Sequence, residues 1–165
     1  MALRRYLDVG NDYGANPQDM FPEAASQTFI PGDLLTLSSG KAAILVAAGN
    51  AVGATAILGI SNYAATGVTN NIRGSIDIAT AGTFMELPYT TTDAAATPAI
   101  TDIGVSKDLR NTTAGYWSVN STTSNVRVVI QQINREDSPA WPTTIVAGGR
   151  VRVKFLAAAR VMGVV

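Results

Sequence analysis

Apolar and charged positions alternate without exception along Arg150-Val151-Arg152-Val153-Lys154-Phe155. A period of two belongs to a β-strand, so Val151, Val153 and Phe155 face one way and Arg150, Arg152 and Lys154 the other. Ser75-Ile76-Asp77-Ile78 follows the same rule and places Ile76 and Ile78 on one face. Residues 34–37, 43–47, 56–60, 83–89, 115–119 and 126–133 read as further short strands. Turn chemistry separates them: Pro31-Gly32-Asp33, Ser38-Ser39-Gly40, Gly49-Asn50 and the run NSTTSN at 120–125. Gly59, inside an apolar run, marks a bulge or a close backbone approach. Many short strands punctuated this way predict an all-β protein, an antiparallel β-sandwich or β-barrel.

Two stretches break the pattern. Residues 1–27 have no sustained period and contain Gly10, Asn11, Gly14, Asn16 and Pro17. They read as an extended N-terminal arm ahead of a β domain at 28–165, an arm ordered when laid on a partner. Residues 90–99, TTTDAAATPA, read as an exposed loop near 90–100.

The run from Pro31 to Ser61 admits two other readings. Gly40-Lys41 suggests a phosphate loop, but Ala42 stands where that loop needs a hydroxyl, and Leu35 stands where it needs its first glycine. Ala42 to Ile60 is long enough to cross a bilayer, yet Gly49-Asn50 falls in its middle and no aromatic belt flanks it. Pleated segments account for more of its residues.

Composition narrows the function. The chain has 165 residues, enough for one domain with a real core. Charged residues are 15%, against about 25% in an average soluble domain. Sparse charge with many small residues suits close β packing and apolar surface buried against a partner. Net charge is zero, which disfavours a nucleic-acid coat. The charge is unevenly placed. Residues 1–33 hold two arginines against five carboxylates, and residues 127–160 hold six basic groups against two acidic ones. An acidic front and a basic back can attract within one chain or between copies. Solvated charge with no role is the plainer alternative.

Cysteine and histidine are both absent. Thiolate nucleophiles, zinc fingers, disulfides and histidine-based triads are therefore excluded. Asp33, Asp77, Glu86 and Asp102 could serve a carboxylate enzyme, but none sits in a motif. The expectation is a protein that is not an enzyme and uses no cofactor or metal. MALRRYLDVGNDYG has two arginines but no apolar run behind them and does not read as a secretory signal.

Binding residues are the remaining chemistry. In the arm, Arg4, Arg5, Tyr6, Tyr13 and Phe21 are suited to gripping a neighbour. Trp141 sits between Pro139 and Pro142, a stiff loop that makes an interface anchor or folds back on the domain. Arg150, Arg152 and Lys154 form either a solvated outer face or a basic stripe that meets an acidic surface. Asn111-Thr112-Thr113 and Asn120-Ser121-Thr122 fit the N-glycosylation pattern.

The order of these pieces resembles a known family. A loose arm leads into Phe29-Ile30-Pro31-Gly32-Asp33-Leu34-Leu35, then SSGKAAILVA at 38–47 and ILGIS at 57–61. This is similar to the small cement, or decoration, proteins of tailed-bacteriophage capsids. The resemblance implies a β-sandwich or barrel, often a homotrimer, bound to the capsid exterior. It implies a virion protein, made in the host cytoplasm, that bridges major capsid protein subunits and stabilises the shell, with no nucleic-acid or membrane partner. A tail or fibre component, or a carbohydrate-binding β module, is the alternative on the same strand pattern. The scatter of only 2 Trp and 5 Tyr argues against the glycan version.

Overall fold

The computed structural model describes residues 9–11, 17–47, 49–66, 73–91, 94–113, 116–134 and 149–161. In chain order the strands are β1 (Val9–Asn11), β2 (Gln18–Pro22), β3 (Thr28–Phe29), β4 (Leu34–Ser38) and β5 (Lys41–Ile44). There follow β6 (Asn50–Ala51), β7 (Gly59–Ser61), β8 (Ala65–Thr66), β9 (Arg73–Ile78) and β10 (Thr83–Thr91). The last are β11 (Ala94–Ala95), β12 (Ser106–Thr113), β13 (Tyr116–Asn120), β14 (Val128–Ile133) and β15 (Arg150–Phe155). Among the described residues the only helical pieces are two 3₁₀ turns, Ile100–Asp102 and Ala157–Ala159. The fold is all-β, as the strand pattern predicts.

Five strands close into a barrel in the order β10-β13-β12-β14-β15, with β15 pairing back onto β10. Every neighbour is antiparallel except β10–β13, which run parallel with Tyr89 opposite Val119. Closure removes open edges, the commonest liability of a sheet. A second sheet runs β2-β9-β7-β4-β5. It curls until Glu23, just past β2, forms a parallel bridge with Ala42 on β5, and Ala24 N–H donates to Ala42 O at 2.8 Å. The outer edge of β5 is also capped by a side chain: Gln27 Oε1 accepts from Ile44 N–H at 3.0 Å.

Two apolar clusters hold these sheets. The larger gathers Met85, Leu87, Leu109, Trp117, Val119, Val128, Ile130, Val151, Val153 and Phe155 from the barrel with Leu34 and Ile60 from the second sheet and Ile57 just before β7. The smaller contains Phe29, Leu35, Ala42, Leu58, Ala65, Ile76 and Ile78. Leu34 and Leu35 are adjacent and enter different clusters, because successive strand residues point to opposite faces. β4 is thus buried on both sides at its start, which explains the adjacent leucines there.

The run from Pro31 to Ser61 is therefore strands and turns. No helix among the described residues is long and apolar enough to cross a membrane. Ile30 to Asp33 is a tight turn, with Asp33 N–H on Ile30 O at 3.0 Å and Gly32 at φ 94°. A left-handed φ at this position favours glycine. Gly59 is a close approach: a Cβ there would lie 2.1 Å from Asp77 O.

Several boundaries differ from the sequence reading. β5 begins at Lys41 and ends at Ile44, two residues earlier than the expected run at its start and three at its end. Thr83–Thr91 continues through Pro88, whose lack of an N–H is tolerated opposite Arg150 at the end of the β15 ladder. The described residues of the stretch read as an arm include strands: Val9–Asn11 pairs with β10, and Gln18–Pro22 pairs with β9 over five residues. The stretch read as a loop near 90–100 begins as strand, with Thr90 buried and β11 folded back on β10. The strand Ser106–Thr113 had no counterpart in the periodicity.

Candidate binding surface

Beyond β11 the chain turns outward. Ala94, Ala95, Thr97, Ala99, Thr101 and Gly104 are exposed, while Pro98 is buried and roots the segment. Within it Ile100 is 50% exposed and Ile103 is 44% exposed. Ile103 N–H donates to Ile100 O at 3.1 Å, closing a 3₁₀ turn. Residues three apart in such a turn lie over one another, so the two isoleucines form one ridge.

This ridge stands on a buried polar foundation. Asp102 points back: its Oδ2 accepts from Ala99 N–H at 2.8 Å and from the Tyr89 hydroxyl at 3.3 Å. Its Oδ1 lies 2.9 Å from Lys107 Nζ. Lys107 also donates to Ser121 O at 3.1 Å, and its ammonium sits 5.8 Å from the centre of the Tyr89 ring. Gly104 N–H donates to Ile130 O at 2.8 Å, tying the exit of the turn to β14. Burial alone would push the Asp102 carboxyl up, but Ala99 N–H, the Lys107 ammonium and the Tyr89 hydroxyl hold it below the usual aspartate value. Burial alone would lower Lys107, but Asp102 and Tyr89 keep it above the usual lysine value. Burial raises the Tyr89 hydroxyl as well; Lys107 pulls it down and Asp102 pushes it up, and the net is a rise. Both partners of the pair therefore stay charged at neutral pH. A charged Lys107 is a clamp, not the neutral amine that nucleophilic chemistry requires.

A second polar set lies on β12 and just before β14. Arg110 donates to Gly49 O at 2.6 Å, Asn111 Nδ2 to Val46 O at 3.1 Å, and Arg127 Nε to Gly53 O at 2.5 Å. Together they tie Val46, Gly49 and Gly53 to the barrel. Asp108 on β12 is buried, and burial raises its carboxyl above the usual value although Leu109 N–H, Arg127 and Arg110 oppose the rise.

The residues singled out from the sequence fall in different places. Arg4, Arg5, Tyr6, Tyr13 and Trp141 lie outside the described residues. Phe21 is half-buried and packs against the smaller apolar cluster, on a different sheet from the basic stripe. Arg150, Arg152 and Lys154 do share the outer face of β15, and each is half-buried. Arg150 Nε lies 3.7 Å from Glu86 Oε1, and the Arg152 guanidinium stacks 3.5 Å above the Phe84 ring. The stripe is thus engaged with its neighbour β10. The carboxylates also have internal partners. Asp33 accepts from Trp117 Nε1 at 3.1 Å and Ile30 N–H at 2.9 Å. Asp77 accepts from Gln18 and Asn62, each at 2.8 Å, and Glu86 accepts from Asn134. Both glycosylation-type asparagines, Asn111 and Asn120, are buried in the barrel wall, so neither side chain is open to modification in the folded chain.

Sequence reasoning did not select Ile100 and Ile103. The available signal was two isoleucines three apart in a stretch that otherwise lacks large apolar side chains and has no basic residue. Compared with known proteins, the chain matches no family model, no curated protein and no solved structure.

Proposed function

We propose that this chain is a structural protein that fastens to a larger protein assembly, and that the assembly is the outer surface of a tailed-bacteriophage capsid. On this reading it bridges major capsid protein subunits and stabilises the shell, as a homo-oligomer on the virion exterior. The resemblance of residues 28–165 to capsid cement proteins, strongest over 31–42 and 57–61, supplies the assembly. The observation that carries the binding role is the Ile100–Ile103 ridge, an uncharged apolar contact held in place before any partner arrives. Preorganisation matters because ordering a loop on binding costs affinity. A ridge without aromatic or basic side chains suits an apolar protein socket better than a glycan or a nucleic acid.

Co-sedimentation with empty tailed-phage shells, stripped of their own decoration proteins, tests the reading. The wild-type chain should pellet with at least one shell, and an Ile100→Asp/Ile103→Asp variant should not. Failure to pellet with any shell in a broad panel would remove the capsid assignment. Undiminished binding by the double variant would remove the ridge.

A further inference from the structure

The second sheet leaves one face open at β2 and β9. These strands pair antiparallel, with Gln18 opposite Asp77, Met20 opposite Ser75 and Pro22 opposite Arg73. Directly opposed residues share a face, so these six side chains lie together. Ile76 and Ile78 take the other face and enter the smaller apolar cluster. The barrel packs on Leu34 and Ile60, at the β4–β7 part of the sheet. The curl that brings Glu23 to Ala42 turns β9 and β2 away from that contact. Gln18, Met20 and Arg73 are exposed, Met20 at 54%, and Pro22, Ser75 and Asp77 are half-buried.

On these two strands the face holds one cation and one anion. Arg73 and Asp77 stand four residues apart on β9, roughly 13 Å along the strand, with Ser75 midway and Met20 beside it. Asp77 is held in place, because its Oδ1 accepts from Gln18 Nε2 and from Asn62 Nδ2, each at 2.8 Å. Those bonds leave Oδ2 to a partner. The Arg73 side chain makes no ion pair or hydrogen bond among the described residues. The edge of β2 offers less than the face: Asp19 Oδ1 accepts from Met20 N–H at 2.7 Å, so that donor is not open to a further strand.

We propose that this face binds a second copy of the chain about a two-fold axis. A two-fold contact joins the same patch on both copies, so the patch must complement itself. This one does. With the strands of the two copies reversed, Arg73 of one copy meets Asp77 of the other, Asp77 meets Arg73, and the two Met20 side chains meet between them. Methionine is unbranched and adaptable, which suits the centre of such a contact. A small contact with exposed ion pairs is weak, and salt weakens it further. The face supplies a surface for the homo-oligomer of the proposed function and stands whether or not the assembly is a capsid.

Sedimentation velocity of the full chain, without shells and over a rising concentration series, tests it. Wild type should pass from monomer to dimer, at a higher concentration as sodium chloride is raised. Arg73→Asp and Asp77→Arg, each confirmed folded by circular dichroism, should each weaken the dimer by at least about tenfold. Mixed one to one, the two variants should dimerise again, because every facing pair is then opposite in charge. Arg73 is exposed, so its variant decides the matter even where Asp77→Arg does not fold. A wild-type chain that stays monomeric, or that forms trimers, would overturn the proposal. So would an Arg73→Asp chain that dimerises as wild type, or a mixture of folded variants that stays monomeric. A dimer with these properties that binds no shell supports this face and removes only the capsid assignment.

Discussion

The Ile100–Ile103 turn and the outer face of β15 are built in opposite senses. The turn points its charges inward, onto Lys107 and Tyr89, and presents isoleucine to solvent. β15 buries Val151, Val153 and Phe155 and presents Arg150, Arg152 and Lys154, which lean on Glu86 and Phe84. Both are surfaces that could meet a neighbour. The difference lies in what each has left to offer. The basic face is already partly neutralised by its own sheet, and a partner must displace those contacts. The turn has its polar groups satisfied internally, and its apolar area gains only by leaving water. A charged outer face is thus consistent with simple strand amphipathicity, whereas an exposed apolar pair on a polar foundation is not.

The largest effect should come from breaking the foundation. Lys107→Met leaves the Asp102 carboxylate without its cation and should cost about 2–3 kcal/mol in urea unfolding. Adding Asp102→Asn should restore much of that loss. If Lys107→Met alone is silent, the turn is not held by the pair.

The pH dependence sharpens the point. Asp102, held below its ordinary value, contributes stability that is complete above the unfolded-state value and is lost as pH falls through the lowered folded-state value. Lys107, held above its ordinary value, contributes stability that is complete below the unfolded-state value and is lost as pH rises through the raised one. Stability from this pair should form a plateau between those limits, and Asp102→Asn should flatten the acid limb. Asp108 has the opposite sign. Its folded-state value is raised, so its contribution falls as pH climbs from the unfolded to the folded value and stays lower above it. Asp108→Asn should therefore raise stability at neutral pH, read as a higher urea midpoint than wild type.

The basic face should respond weakly. Arg152→Ala removes a guanidinium stacked on Phe84 and should cost about 0.5–1 kcal/mol, with assembly binding unchanged. Smallest of all is the stability change for Ile100→Asp, within about 0.5 kcal/mol, because half of that side chain is already in water.

The two regions also differ in how legible they were. Alternation over Arg150–Phe155 states its fold outright, because one face is apolar and the other polar. Ser106–Thr113 shows no apolar alternation to mark it as a strand, since Lys107, Asp108 and Asn111 are polar. All three are buried in the barrel: Lys107 meets Asp102 and Ser121 O, Asp108 accepts from Leu109 N–H, and Asn111 Nδ2 donates to Val46 O while its Oδ1 is left without a partner. Such partners are chosen by tertiary geometry, and no period in the sequence announces them. Gln18–Pro22 escaped notice for another reason. Its first three residues are exposed on an edge strand, so burial imposes no pattern there. The candidate surface inherits this: the isoleucines were visible as residues, but their pinning by Lys107 was not.

The most direct test is shell binding by three forms of the chain, all confirmed folded: wild type, Ile100→Asp/Ile103→Asp and Arg152→Ala. If the apolar ridge is the contact, the double variant loses binding by at least about tenfold, the scale of one lost hot spot, while Arg152→Ala binds as wild type. Loss with Arg152→Ala and full binding by the double variant would contradict the account.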